Sequence, residues 1–168
     1  MFNTNLDNAV KNIQLDELEI AQYVEEVEKR GRRDELLESI RIRLVDASYI
    51  KERSIYCGLI REFNDKESLP LLWRLITQDE TKGRRGSLVF AMENMNPVDY
   101  LEKLVDLAIN DNNEVMFNSL DVIDNIEGYI DGDTLEKCIT KLQAALKTTM
   151  PEWRKEALTL LLEEFEED

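Results

Sequence analysis

The sequence predicts an all-α protein, an α-solenoid of stacked helix pairs with about four pairs after an N-terminal helix. Three observations carry this. Hydrophobic residues make up 43% and charged residues 34% of 168 positions, with only 6 Gly and 3 Pro, a helix-rich globular composition rather than a disordered or β-rich one. Apolar residues recur at three- and four-residue steps along nearly the whole chain, with no sustained alternation of the kind a strand shows. The apolar pattern also repeats itself at a constant spacing, which dictates architecture before any motif does.

The helix breakers divide the chain in order. A lead helix is expected near Leu15–Arg30, then helix pairs at about 34–45 with 49–63, 67–77 with 82–95, 98–109 with 113–127, and 133–147 with 151–166. Asn64 or Asp65 can cap the helix that holds Pro70 in its first turn, and Asn96 precedes Pro97 where a missing N–H costs little. Gly128, Gly132 and Pro151 fall between helices, and Asp133 followed by Glu136 has the form of a capping box. One domain, 1–168, results: a cap of 1–33 and repeats 34–65, 66–97, 98–132 and 133–168.

A shift of 32 residues lays Leu37, Ile40 and Leu44 onto Leu69, Leu72 and Ile76, and these onto Leu101, Leu104 and Ala108. The second helices obey the same shift: Tyr56, Leu59 and Ile60 meet Leu88, Ala91 and Met92, then Leu120, Ile123 and Asp124. In the last unit the offset grows to 34 at Leu135 and to 38 at Leu158 and Leu161. Terminal units of an array are commonly atypical because they must close it.

In these residues the chain resembles the HEAT-repeat family, whose units carry an acidic residue in the inter-helix turn and often an arginine early in the second helix. LPLLWRLITQDETKGRRGSL is the best match, with Asp79 and Arg85 in those places. YLEKLVDLAINDNNEVMFNSLDVIDNI matches in its leucines and Asp111, but Phe117 stands where the arginine would be; Asp46 and Arg53 fit with one extra residue between them. The resemblance covers roughly residues 34–166. It implies a right-handed solenoid of antiparallel helix pairs with a curved surface for macromolecules, and no chemistry by itself.

Charge narrows the partner. The net charge is −15, and residues 97–168 hold 18 acidic but only 6 basic side chains. Such a field repels nucleic acid and anionic membranes and favours a basic protein. Basic clusters do occur, Arg30, Arg32 and Arg33 in KRGRR and Lys82, Arg84 and Arg85 in KGRRG; solvation, compensation of a helix C-terminus and a structural role for Arg85 account for them.

The chain has no histidine, the commonest general base and metal ligand. GxSxG, Walker, GxGxxG and HExxH motifs are all missing. Asp131 and Asp133 in YIDGDTLE have the start of a calcium loop, but its twelfth position is Leu142 rather than a bidentate Glu. No catalytic residue, metal or cofactor is expected. Cys57 and Cys138 lie among apolar neighbours outside any close-spaced pair and read as free buried thiols. MFNTNLDNAVKN lacks the basic and apolar regions of a secretory signal, and no apolar run approaches the roughly 20 residues of a membrane span. A cytoplasmic location is expected.

The sharpest candidate surface is on 113–127. Glu114, Asn118, Asp121 and Asn125 form one polar stripe, flanked by Asp124 and opposite Val115, Leu120, Val122, Ile123 and Ile126. Such a stripe is either a solvated helix face or, as the second helix of a HEAT-like pair, a face turned toward a partner. Asp111, Asp131 and Asp133 in adjoining turns extend it, with Tyr129 as its aromatic contact. Trp73 reads as core, and EEFEED as a solvated tail. Small acidic helical-repeat proteins of bacterial toxin-immunity systems are similar to this chain. The resemblance therefore implies an immunity or inhibitor protein that covers a basic toxin such as a nuclease, or else a HEAT-like scaffold or adaptor without a toxin. HEAT-like DNA glycosylases are an enzymatic precedent, but they need a basic groove.

Overall fold

The computed structural model describes Val10 and residues 17–167, and among them the chain is all helix and turn, with no strand. Leu15 of the expected lead helix, most of MFNTNLDNAVKN and Asp168 of the acidic tail lie outside the described residues. The chain divides into two compact units, Met1–Met95 and Asn96–Asp168. The division falls within two residues of the boundary between the second and third sequence repeats.

The first unit carries α1 (Glu17–Lys29), α2 (Arg33–Val45), α3 (Arg53–Glu62), α4 (Leu69–Ile76) and the short α5 (Gly86–Phe90). Helix α1 buries Ile20, Val24 and Val27, one stripe at helical spacing, and packs on α3 where Gly58 presents no side chain: a Cβ there would stand 2.9 Å from Ile20 Cδ1. Gly31, at φ 64°, closes α1, and the amide of Arg32 reaches back to the Val27 carbonyl at 3.1 Å, the six-to-one bond of a Schellman ending. Asn64 closes α3 in the same way, with φ 49° and the Asp65 amide on the Ile60 carbonyl at 3.2 Å.

Beyond that turn Asp65 is almost wholly buried. Arg41 Nη2 from α2 donates to both of its carboxylate oxygens at 2.7 Å, and the Ser68 hydroxyl donates to Oδ2, so the buried charge is paired and hydrogen-bonded as it must be. Arg61 Nε meets Glu93 at 2.5 Å while its guanidinium lies 4.5 Å from the Phe90 ring centroid. At the end of α4, Arg85 Nη1 donates to the Ile76 carbonyl at 2.8 Å. The structural role expected for Arg85 is this one: it satisfies a carbonyl that the helix end leaves open.

The second unit holds α6 (Leu101–Asn110), α7 (Asn113–Asp124), α8 (Gly132–Ala145) and α9 (Glu152–Glu167). Helix α6 is central, with Leu101, Leu104, Val105, Leu107 and Ala108 buried and both α7 and α8 packed against it; α9 packs on α8.

The period of 32 is visible in the backbone as well as in the apolar pattern. Asn64, Asn96 and Gly128 stand 32 residues apart, and all three have positive φ, at 49°, 50° and 101°. The 3₁₀ turns Lys66–Ser68 and Val98–Tyr100 share that spacing, as do Ala47–Tyr49 and Asp79–Thr81. Of the aligned apolar positions, all are buried except Leu69, Leu120 and Leu135, which are half-buried. Asp124, where the apolar pattern lapses, is exposed.

Four local expectations change. Neither Asn64 nor Asp65 caps the helix that holds Pro70; Ser68 stands at its N-cap without a side-chain bond, and Asn64 closes α3 instead. The helix expected over 82–95 is only Gly86–Phe90, followed by a 3₁₀ turn at Glu93–Met95, because Gly83 at φ 81° and the extended Lys82 (ψ 130°) hold its first residues in a turn. Helix α8 is capped by Asp131 rather than Asp133, the Asp131 carboxylate accepting the Thr134 amide at 3.0 Å. Trp73 is half-buried rather than sealed in the core. Cys57 and Cys138 are free and buried.

Candidate functional site

All nine residues of the expected surface fall in the second unit, and its helices assign them different jobs. Asn112 caps α7 by accepting the Val115 amide at 3.0 Å, which fixes the phase of that helix. Val115, Met116, Ser119, Val122 and Ile123 face inward. Glu114, Asp121, Asp124 and Asn125 are exposed and Asn118 is half-buried, so the polar stripe lies on the side away from the core as its spacing implies.

Several members are engaged in holding the fold. Asp111 is half-buried at the end of α6, and its carboxylate accepts the Asn112 amide at 2.7 Å. Asn125 turns its amide back to the Asp121 carbonyl at 2.7 Å. Asp131 is committed to the α8 cap; hydrogen bonds from Thr134 hold its carboxyl below the usual range. Asp133 is exposed in the first turn of α8, where negative charge suits the helix dipole.

Asp121 and Asp124 act on each other. Partial burial and the neighbouring Asp121 charge raise the Asp124 carboxyl above its ordinary value. Two like charges held close on one helix face are mutually unfavourable. Tyr129 is 86% exposed in the turn that Gly128 makes.

Two cations of this unit are taken up by internal partners, whereas Lys103, Lys137, Lys147 and Lys155 are exposed. Lys141 on α8 is held by Asp106 at 2.6 Å and Glu102 at 2.9 Å on α6, which raises the lysine and lowers Glu102. Arg154 on α9 donates to the carbonyls of Ile109 at 3.0 Å and Asp111 at 2.8 Å. It serves the end of α6 as Arg85 serves the end of α4, and it does so from another helix, because the position equivalent to Arg85 is Phe117.

Sequence reasoning passed over Phe117 as a departure from a pattern. The structure places it on the exposed side of α7, 49% accessible, stacked on Trp153 at 5.7 Å between ring centroids and 28° between planes. Trp153 is itself 39% accessible and borders a groove of about 610 Å³ whose other walls include Ile109, Lys141, Ala144 and Met150. The available signal was Phe117 lying at −1 and +3 from Asn118 and Glu114, on the polar face.

In the first unit, Ile42, Val45 and Ile50 are exposed aliphatics, and Val45 and Ile50 line a smaller groove of about 290 Å³ with Tyr49, Arg53 and Leu75. Among the described residues no group of three or more Cys, Asp or Glu is arranged to hold a metal ion, and no helix is long and apolar enough to cross a membrane.

Comparison with known proteins finds no match: no family model, no curated protein and no solved structure aligns significantly with the chain.

Proposed function

We propose that this chain is an acidic protein-binding module that neutralises a basic partner by covering it, as an immunity or inhibitor protein covers a toxin nuclease. The reading takes the helix pairs as antiparallel units of a right-handed, HEAT-like solenoid. The recurrence of a left-handed residue at 64, 96 and 128 supports that architecture, since a repeated backbone joint is what stacked units require.

The observation that carries the function is the division of labour among charges in the second unit. Its half-buried cations, Lys141 and Arg154, are spent on internal partners, while Glu114, Asp121, Asp124 and Asp133 are exposed. An exposed acidic face on a chain of net charge −15 speeds encounter with a basic protein and hides the cationic surface such a protein needs for nucleic acid. Binding rather than catalysis is also what a chain without histidine suits, and two free buried thiols suit a reducing, cytoplasmic compartment.

The test is capture from a lysate of the source cell followed by kinetics on the captured protein. A basic protein is expected, its association rate falling steeply with salt and several-fold in Asp121→Ala/Asp124→Ala with helicity unchanged. Retention of only neutral or acidic proteins, or a rate indifferent to salt, would overturn the reading. The exposed aliphatics Ile42, Val45 and Ile50 favour a second reading, an adaptor with a further contact surface. Inhibition of the captured protein's activity separates the two.

A further inference from the structure

We propose that the Phe117–Trp153 stack is the anchor of the binding face and takes an arginine-bearing, basic segment of the partner protein, one guanidinium lying on the exposed rings. This rests on the reading of the chain as a binder of basic proteins, and it moves the energetic centre of that surface from carboxylates to an aromatic pair.

The stack is not needed where it stands for the reason an arginine would be. In the two preceding units the equivalent positions are Arg53 and Arg85, and Arg85 closes a helix end. Here that task belongs to Arg154, which leaves the Phe117 ring with no carbonyl to serve and about half its surface in water. Large aromatics paired at the surface beside a groove are the residues most often found at the energetic centre of an interface.

The surroundings select the occupant. Glu114 and Asp121 stand three residues before and four after Phe117, and Glu156 stands three after Trp153; all three are exposed, as is Lys155 two after Trp153. The aromatic pair is therefore bordered by carboxylates on both helices. An acidic segment would be repelled, and a nucleic-acid base, which could stack on the rings, would bring its phosphates against the same carboxylates. An arginine satisfies both features, because a guanidinium stacks flat on aromatic rings and pairs with carboxylates through its edge, whereas lysine does only the second well. The fold already shows the pairing: the Arg154 guanidinium lies 5.5 Å from the Trp153 ring centroid.

The test uses the full chain carrying Trp73→Phe, so that Trp153 is the only tryptophan, titrated at low salt with a twelve-residue peptide alternating Arg and Ala and with its Lys and Glu counterparts. The Arg peptide is expected to shift Trp153 emission, to bind several-fold more tightly than the Lys peptide, and to weaken about ten-fold in Phe117→Ala; the Glu peptide is expected not to bind. Phe117→Leu, which keeps apolar bulk and the fold, is expected to weaken binding almost as much. Binding that is lost with Asp121→Ala/Asp124→Ala but leaves Trp153 emission unshifted, or that Phe117→Leu leaves intact, would overturn the aromatic anchor and leave the acidic reading standing. Failure of every basic peptide to bind would overturn both.

Discussion

Arg154 holds the main-chain carbonyl of Ile109 from a helix 45 residues away in sequence, at 3.0 Å. A second donation reaches Asp111 at 2.8 Å, so one guanidinium closes the end of α6. Arg154→Ala is expected to cost about 2 kcal/mol, the scale of two charge-assisted bonds with the freed carbonyls partly rehydrated. Arg154→Lys should recover less than half, since an ammonium cannot span both acceptors. Urea unfolding checks both, and an unchanged midpoint in Arg154→Ala would refute the role.

Asn64 and Asn96 share a backbone conformation but not a side-chain task. Asn64 ends α3 through the main chain, whereas Pro97 offers no amide for the same ending, and the Asn96 side chain instead clasps Glu127, donating at 2.9 Å and accepting its amide at 3.0 Å. Asn64→Gly is expected to leave stability unchanged or raise it by about 0.5 kcal/mol, because glycine enters the left-handed region without cost. Asn96→Gly is expected to lower it by about 1–2 kcal/mol through the two lost bonds. Equal effects at the two positions in chemical denaturation would show the clasp to be idle.

Asp65 and Arg41 test the buried pair of the first unit. Asp65→Ala should cost about 2–3 kcal/mol, because it takes the bidentate partner from Arg41, which is 23% exposed and keeps Glu67 at 3.3 Å. The double replacement Arg41→Met/Asp65→Leu should be closer to the parent than Asp65→Ala alone, since no buried charge is then left without its partner. A double variant less stable than the single one would contradict this.

Acidification should act with opposite signs at different carboxylates. Lys141 lowers Glu102 and Thr134 lowers Asp131, so the stability each contributes is present above its unfolded value of about 4 and is lost as pH falls through the folded one. Asp124 is raised by burial and by Asp121, so its contribution is present at low pH and is lost as pH rises through its folded value. Asp124→Asn should therefore raise the melting temperature at pH 7 and leave it unchanged at pH 3, whereas Lys141→Met should flatten the loss between pH 5 and 3. Melting curves at the two pH values decide both.

Much of this was legible in the sequence, for a physical reason. Burial enforces periodicity, so Leu37, Leu72 and Leu104 announced both their helices and their register. The breaks at Asn64, Asn96 and Gly128 were readable as helix boundaries, but their positive φ was not: Asn64 closes the helix before it rather than capping the one after it. Contacts between distant helices were not readable. Nothing in EWRKE marks Arg154 as the substitute for an arginine missing at 117, and nothing in a one-dimensional stripe separates Asp131, spent on a cap, from Asp133 beside it. The candidate stripe and Tyr129 do lie exposed, but the exposure of Phe117 beside them was not legible, because a residue that breaks a family pattern carries no positive signal of its own.

The two cysteines supply a way to watch the units separately. Burial pushes the Cys57 thiol up to about 12 and the Cys138 thiol up to about 11, so neither forms the thiolate that alkylating reagents need at pH 8. Cys57 belongs to one compact unit and Cys138 to the other. Iodoacetamide should therefore label each only when its own unit opens, and peptide-resolved labelling rates become two independent clocks. A partner seated on the second unit should slow the Cys138 clock and leave the Cys57 clock running at its own pace.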